Sequence, residues 1–132
     1  MGKRTGVLVV DDRRVMPFAA RYARTSARAI HMLGRSGHLQ QLWLDHDLGG
    51  DDTGMAVADW MAEQAFLGHP LDVECIFVHS ANGPGAQRLV LTLQRWYSHV
   101  HQTTAPVWSS RQARVRRAWA RVEHRWDRVR SR

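Results

Sequence analysis

Residues 44–54 read Leu44-Asp45-His46-Asp47-Leu48-Gly49-Gly50-Asp51-Asp52-Thr53-Gly54, and they follow directly on Leu42 and Trp43. The apolar run 42–44 predicts a buried strand. It runs straight into four carboxylates, one histidine and three glycines. Crowded carboxylates repel one another, and removing them from water costs several kcal/mol unless a cation or a proton compensates. The cluster is therefore either a site or a solvated turn, and the flanking sequence decides between them.

Two more segments share this form. Val7–Val10 is a β-branched, apolar run that ends in Asp11-Asp12, and Val73–Val78 closes on His79-Ser80-Ala81-Asn82-Gly83. Helical spacing fills the intervals. Ser26 is placed to cap a helix carrying Ala27, Ile30 and Leu33, which Gly34 and Gly37 stop. Thr53 is placed to cap a second, with Met55, Val57, Ala58, Met61, Ala62 and Phe66 on its apolar face and Gly68 and Pro70 beyond it. From Gly85, residues Leu89, Val90, Leu93, Trp96 and Tyr97 make a third stripe. Arg13–Ala20 contains Pro17 and has room for a single turn, so the first helix is nearly absent. Arg21–Thr25 is expected as a short edge strand, and Thr104–Trp108, restricted by Pro106, as the last one.

Alternating strands and helices imply an α/β fold, an open parallel sheet with helices on both faces. Ligands of such sheets bind at the carboxyl ends of the strands. Three apolar strands ending in Asp11-Asp12, Asp45-His46-Asp47 and His79-Ser80 should bring those groups together.

The chain has 132 residues, enough for one domain spanning 1–132. No apolar run reaches the roughly 18–20 residues of a membrane span, and no signal-peptide pattern opens the chain. The lone Cys75 lies inside a predicted strand and is expected to be an inert core thiol, which fits a cytoplasmic location. The formal charge of +7 arises in the last stretch, where nine arginines face only Glu123 and Asp127. Within 110–130, Val115, Trp119, Val122, Trp126 and Val129 repeat at helical spacing, predicting a basic amphipathic C-terminal helix. Its stripe suits packing on the sheet or a dimer seam, and the Arg-rich residues 111–132 suit RNA contact. The sequence leaves the oligomeric state open.

These residues resemble the receiver domain of two-component signalling. Val10-Asp11-Asp12 resembles its first-strand acidic pair, Leu44-Asp45 with Gly54 its phosphoacceptor strand and loop, and Ser80-Ala81 its fourth-strand Thr/Ser-Ala. The resemblance implies a flavodoxin-like, three-layer fold with strand order 2-1-3-4-5. A receiver also carries a lysine at the end of its fifth strand, whereas the only lysine here is Lys3. It lacks the histidines found here at 46 and 79. The chain more closely resembles the cyclic-phosphate processing receiver-like domains, with D-D, L-D-H-D-L-G and H-S-x-N in that order.

The chemistry follows from residue type. Carboxylates at adjacent strand ends suit a hard divalent cation such as Mg²⁺, with Asp11, Asp12 and Asp45 as candidate ligands and Asp47 weighed against Asp11. Histidines titrate near neutrality, so His46 and His79 suit proton transfer to and from a phosphodiester, with Asp45 and Asp47 positioning water or histidine. Ser80, Asn82 and Gly83 suit the non-bridging phosphate oxygens. No organic cofactor is needed. Together with this chemistry, the resemblance implies processing of a cyclic phosphate on a nucleotide or an RNA end, as a cyclic phosphodiesterase. The alternatives are a signalling domain phosphorylated on Asp45 and a non-catalytic nucleotide- or RNA-binding module. Asp51 and Asp52 are expected in a solvated loop, the other histidines at the surface, and Trp43, Trp60 and Trp96 in the core.

Overall fold

The computed structural model describes residues 6–103. Five parallel strands form one sheet in the order β2-β1-β3-β4-β5. In chain order these are β1 (Val7–Val10), β2 (Arg21–Ala23), β3 (Leu39–Leu44), β4 (Val73–His79) and β5 (Val100–Thr103). Three helices connect them: α1 (Ser26–Arg35), α2 (Met55–Phe66) and α3 (Gly83–Gln94). This is the receiver-like α/β architecture, with the order 2-1-3-4-5.

Alternation along the central strands splits the apolar residues between two faces. Leu8, Val10, Leu42, Leu44, Ile76 and Val78 belong to the larger core, together with Ala29 and Leu33 of α1, Val57, Ala58 and Met61 of α2, and Ala86, Leu89 and Leu93 of α3. All three helices therefore cover one face. On the other face Val7, Val9, Trp43, Cys75 and Phe77 pack with Met16 from the loop that joins β1 to β2. Phe18 of that loop lies 5.5 Å from the Trp43 ring, which stacks on Phe77 at 4.4 Å. Cys75 is a buried free thiol, as expected. The C-terminal helix expected over 110–130 lies outside the described residues.

No helix forms between β1 and β2, and the reason is local. Asp11 Oδ1 accepts the backbone N–H groups of Arg13 and Arg14, both at 2.9 Å, which turns the chain instead of starting a helix. Tyr22 Oη accepts from the Met16 N–H at 2.8 Å, and the Arg24 guanidinium donates to the carbonyls of Asp11 and Arg14. The first part of the loop is thus tied to Tyr22 of β2 and to Arg24 just beyond it.

Several boundaries differ from expectation. Thr25, not Ser26, caps α1, its Oγ1 accepting from the Arg28 N–H at 3.1 Å. That helix runs through Gly34 before ending. Gly54, not Thr53, is the cap residue of α2 and makes no side-chain bond, while Thr53 bridges to Asp47. The third helix stops at Gln94, so Trp96 lies in the following turn, 40 % exposed, edge-on to an exposed Phe66. Tyr97 does reach the core, where its hydroxyl donates to the Met61 carbonyl and accepts from the Leu71 N–H. The fifth strand is Val100–Thr103, just before the segment expected to form it. As an edge strand it buries only Val100 and keeps His101 and Gln102 at the surface, so it has no apolar run to reveal it. Residues 104–108 lie outside the described residues.

Candidate functional site

Strand register assembles the site. Val10 pairs with Leu44, and Leu44 with Val78, so the next residues, Asp11, Asp45 and His79, form one row across three adjacent strands. The ladder carries that far: the Asp45 N–H donates to the Val10 carbonyl at 3.0 Å, and the Asp11 N–H to the Ala23 carbonyl at 3.1 Å. Alternation turns this row toward the face of Trp43 and Phe77 rather than the helical face. The His79 ring accordingly lies 6.0 Å from that of Trp43.

Asp11 and His79 are almost fully buried and paired, with His79 Nε2 3.0 Å from Asp11 Oδ2. An ionised carboxylate only accepts, so Nε2 carries a proton and donates it. His79 Nδ1 is buried and has no hydrogen-bond partner. Burial alone would push the Asp11 carboxyl up, but the bonds from His79 and from the Arg13 and Arg14 N–H groups outweigh it and hold the pKa at about 2. Asp45 moves the opposite way. Burial raises it, Ser80 hydrogen-bonded to its carboxylate opposes that, and the negative charge of Asp11 raises it further. Two neighbouring carboxyls are thus driven apart, a pattern typical of sites that divide ionised and protonated roles.

Ligand atoms of Asp11, Asp45 and His79 lie within 4.8 Å of one another, close enough that this trio could hold a metal ion. Two carboxylates and an imidazole make a mixed oxygen and nitrogen set, which suits Mn²⁺ or Zn²⁺ as well as Mg²⁺. Asp12, expected among the ligands, stands outside the trio and pairs loosely with Arg13 at 3.8 Å. It still lines the same cleft.

That cleft, about 460 Å³, opens above the row. Its acidic lining is Asp11, Asp12, Asp45, Asp47 and Asp52; Arg13, Arg14, Ser80 and the loop residues Gly49, Gly50 and Thr53 complete most of it. Neither His46 nor His79 is part of the lining. Arg14 was not singled out by sequence reasoning, yet its Nη1 sits 3.6 Å from Asp11 Oδ2 and 3.8 Å from Asp45 Oδ2. An arginine shortly after an acidic pair, in a loop too short for a helix, was the available signal. Asp52 is also more than a solvated loop residue. Its carboxylate accepts from both the backbone N–H and the hydroxyl of Ser26, tying the acidic loop to the start of α1.

His46 lies beyond the end of β3. The chain turns there, with the Gly54 N–H donating to the His46 carbonyl at 2.6 Å. A side chain on Gly54 would collide with the Asp45 carbonyl oxygen, so the turn requires glycine. His46 is buried, whereas Asp47 is exposed. The two residues nevertheless bond to each other, His46 Nδ1 donating to Asp47 Oδ1 at 2.8 Å. This bond, ahead of one from Asn82, lowers the Asp47 pKa. A Cβ on Gly85 would come within 2.5 Å of the His46 ring, so the imidazole rests directly on the first turn of α3. Among the expected phosphate ligands, only Ser80 faces the cleft. Asn82 is committed elsewhere, its Oδ1 accepting from the Gly85 N–H as the cap of α3 and its Nδ2 reaching Asp47 Oδ1 at 3.4 Å. Gly83 is exposed in the first turn of α3.

No helix among the described residues is long and apolar enough to cross a membrane. The family model for the cyclic-phosphate processing receiver domain matches residues 7–95, which span β1 through α3. No curated protein matches the chain.

Proposed function

The chain belongs to the family of cyclic-phosphate processing receiver domains, and from that premise we propose that its cleft binds and opens a cyclic phosphate on a nucleotide or an RNA end. The observation that carries this reading is the row of Asp11, Asp45 and His79 beneath a cleft that also presents arginines and Ser80. A phosphodiester brings negative charge, and a cleft with so many carboxylates accepts it only with cations present.

Asp11 and Asp45 would hold a divalent ion, with Asp12 at the rim. Such an ion supplies charge neutralisation and polarises a phosphoryl oxygen. The remaining work belongs to the chain. His46 lies behind Asp47, which lines the cleft, so it exchanges protons with the attacking water and the leaving alkoxide through its Nδ1 bond to the Asp47 carboxylate. Water oxygen bonds to phosphorus, one ester bond of the ring breaks, and the released oxygen takes up a proton. His79 has no exposed surface and acts through Asp11, fixing its charge and orientation. Ser80 donates to a non-bridging oxygen, while Asn82 and Gly83 shape the turn that seats His46.

Hydrolysis of 2′,3′-cyclic nucleotides and of cyclic-phosphate RNA ends tests this directly. We expect His46→Ala to lower turnover by about 10²–10⁴-fold, the usual range for loss of a proton-transfer group. Activity that survives both His46→Ala and His79→Ala would sink the proposal. A second reading, phosphoryl acceptance on Asp45, is favoured by the placement of that carboxylate at the end of β3 beside Ser80. Labelling by a small phosphodonor, abolished in Asp45→Asn, would select it. RNA contact through residues 111–132 is a separate proposal, read by an affinity that falls with salt.

A further inference from the structure

We propose that Arg14 is an exchangeable cation of the cleft: it holds the Asp11–Asp45 pair when no divalent ion is bound, and turns onto the substrate phosphate when one enters. The inference rests on the metal-assisted reading above and assigns it a phosphate-binding residue.

Three observations support it. Arg14 Nη1 faces both carboxylates at 3.6 and 3.8 Å, close enough for strong attraction and too far for a hydrogen bond. The same nitrogen is buried and has no hydrogen-bond partner. A guanidinium is an always-charged donor fork matched to carboxylate and phosphate oxygens, and a buried donor left unpaired is costly. The position is therefore electrostatically sound yet chemically incomplete, as expected of a group that has a better partner in another state. The third observation is the anchoring of the Arg14 backbone. Its N–H donates to Asp11 Oδ1 and its carbonyl accepts from Arg24, so the side chain can swing while its root stays fixed at the cleft.

Charge bookkeeping points the same way. A divalent ion on Asp11 and Asp45 would repel a guanidinium lying less than 4 Å from both, and a phosphate arriving in the cleft would attract it. The sequence has no lysine after Lys3, and Arg14 is a permanently charged side chain already in the cleft. Arg14 lines the cleft with only part of its side chain exposed.

Calorimetry on the full chain and on Arg14→Gln separates this from a structural role, because the two ligands should respond in opposite directions. Mn²⁺ alone should bind Arg14→Gln about tenfold more tightly than wild type, equivalent to about 1.4 kcal/mol. Inorganic phosphate, titrated in saturating Mn²⁺, should bind the variant about tenfold more weakly, with Arg14→Lys intermediate. The glutamine keeps both backbone bonds, and a thermal melt checks that the fold persists. Equal Mn²⁺ affinities, or both ligands weakened together, overturn the inference and leave the metal site standing. Absence of Mn²⁺ binding to either protein removes the metal site itself, and the inference with it.

Discussion

On one face of the sheet, Leu8, Val10, Leu42, Leu44, Ile76 and Val78 meet three helices. On the other, Val9, Trp43 and Phe77 meet the helix-free loop between β1 and β2, and their strands continue into Asp11, Asp45 and His79. The first face is held by apolar burial, which is non-directional and tolerates repacking. The second combines aromatic stacking with paired ionisable groups, where each hydrogen bond has one suitable partner. The tied loop, where no helix forms, leaves room above the row and brings Arg14 there. The difference suggests where stability and chemistry can be altered separately.

Leu42→Ala attacks the helical face alone. Leu42 is fully buried, so its truncation should cost about 2–5 kcal/mol. Urea unfolding should show a lower midpoint at an unchanged slope, with Mn²⁺ affinity of the folded protein near that of wild type. A loss of metal binding as large as in an Asp11 variant would erase the distinction between the faces.

Acid titration attacks the other face. The folded pKa of Asp11 is lowered from 3.8 to about 2. Its contribution is therefore complete above 3.8 and disappears as pH falls through about 2, a loss of about 2 kcal/mol. Asp45 has the opposite sign: its carboxyl is raised by burial and by the Asp11 charge, against the Ser80 bond, so protonation favours the fold and that gain is lost as pH rises through its folded value. Stability measured across the acid range should fall more steeply in Asp45→Asn than in wild type, and less steeply in Asp11→Asn. Identical acid slopes for Asp11→Asn and wild type would contradict the pairing with His79.

Ser26→Ala probes the seam between the two systems and should give the smallest effect. It removes the hydroxyl bond to Asp52 but leaves the Ser26 N–H bond, at a cost of about 1 kcal/mol. Hydrogen exchange should quicken in the acidic loop while the sheet stays protected; uniform change across the protein would count against a local tie.

How much of this was legible depended on whether a residue's role is local. The strands ending in Asp11, Asp45 and His79 announce themselves, because a buried strand needs an apolar run and its polar end interrupts it. The short β2 was readable too, at Arg21–Ala23. The directions taken by His46 and Asp47 were not, since alternation holds only while the strand continues, and β3 ends at Leu44. Trp96 fits a helical stripe by spacing, yet α3 ends two residues earlier and leaves it at the surface. Arg14 depends on a loop whose path is set by Tyr22 and Arg24, residues distant enough that no pattern around position 14 reports them.

The row Asp11–Asp45–His79 also bears on folding fidelity. Strands in a sheet lie roughly 4.8 Å apart, and side chains change face with every residue. A one-residue slip of β3 against β1 and β4 would drive Asp45 among the leucines and valines under the helices, and would place Leu44 beside the Asp11–His79 pair. Each error carries the penalty of an unpaired buried charge. The polar groups that build the site thereby reject misaligned sheets, and a correctly zipped sheet arrives with its site already assembled.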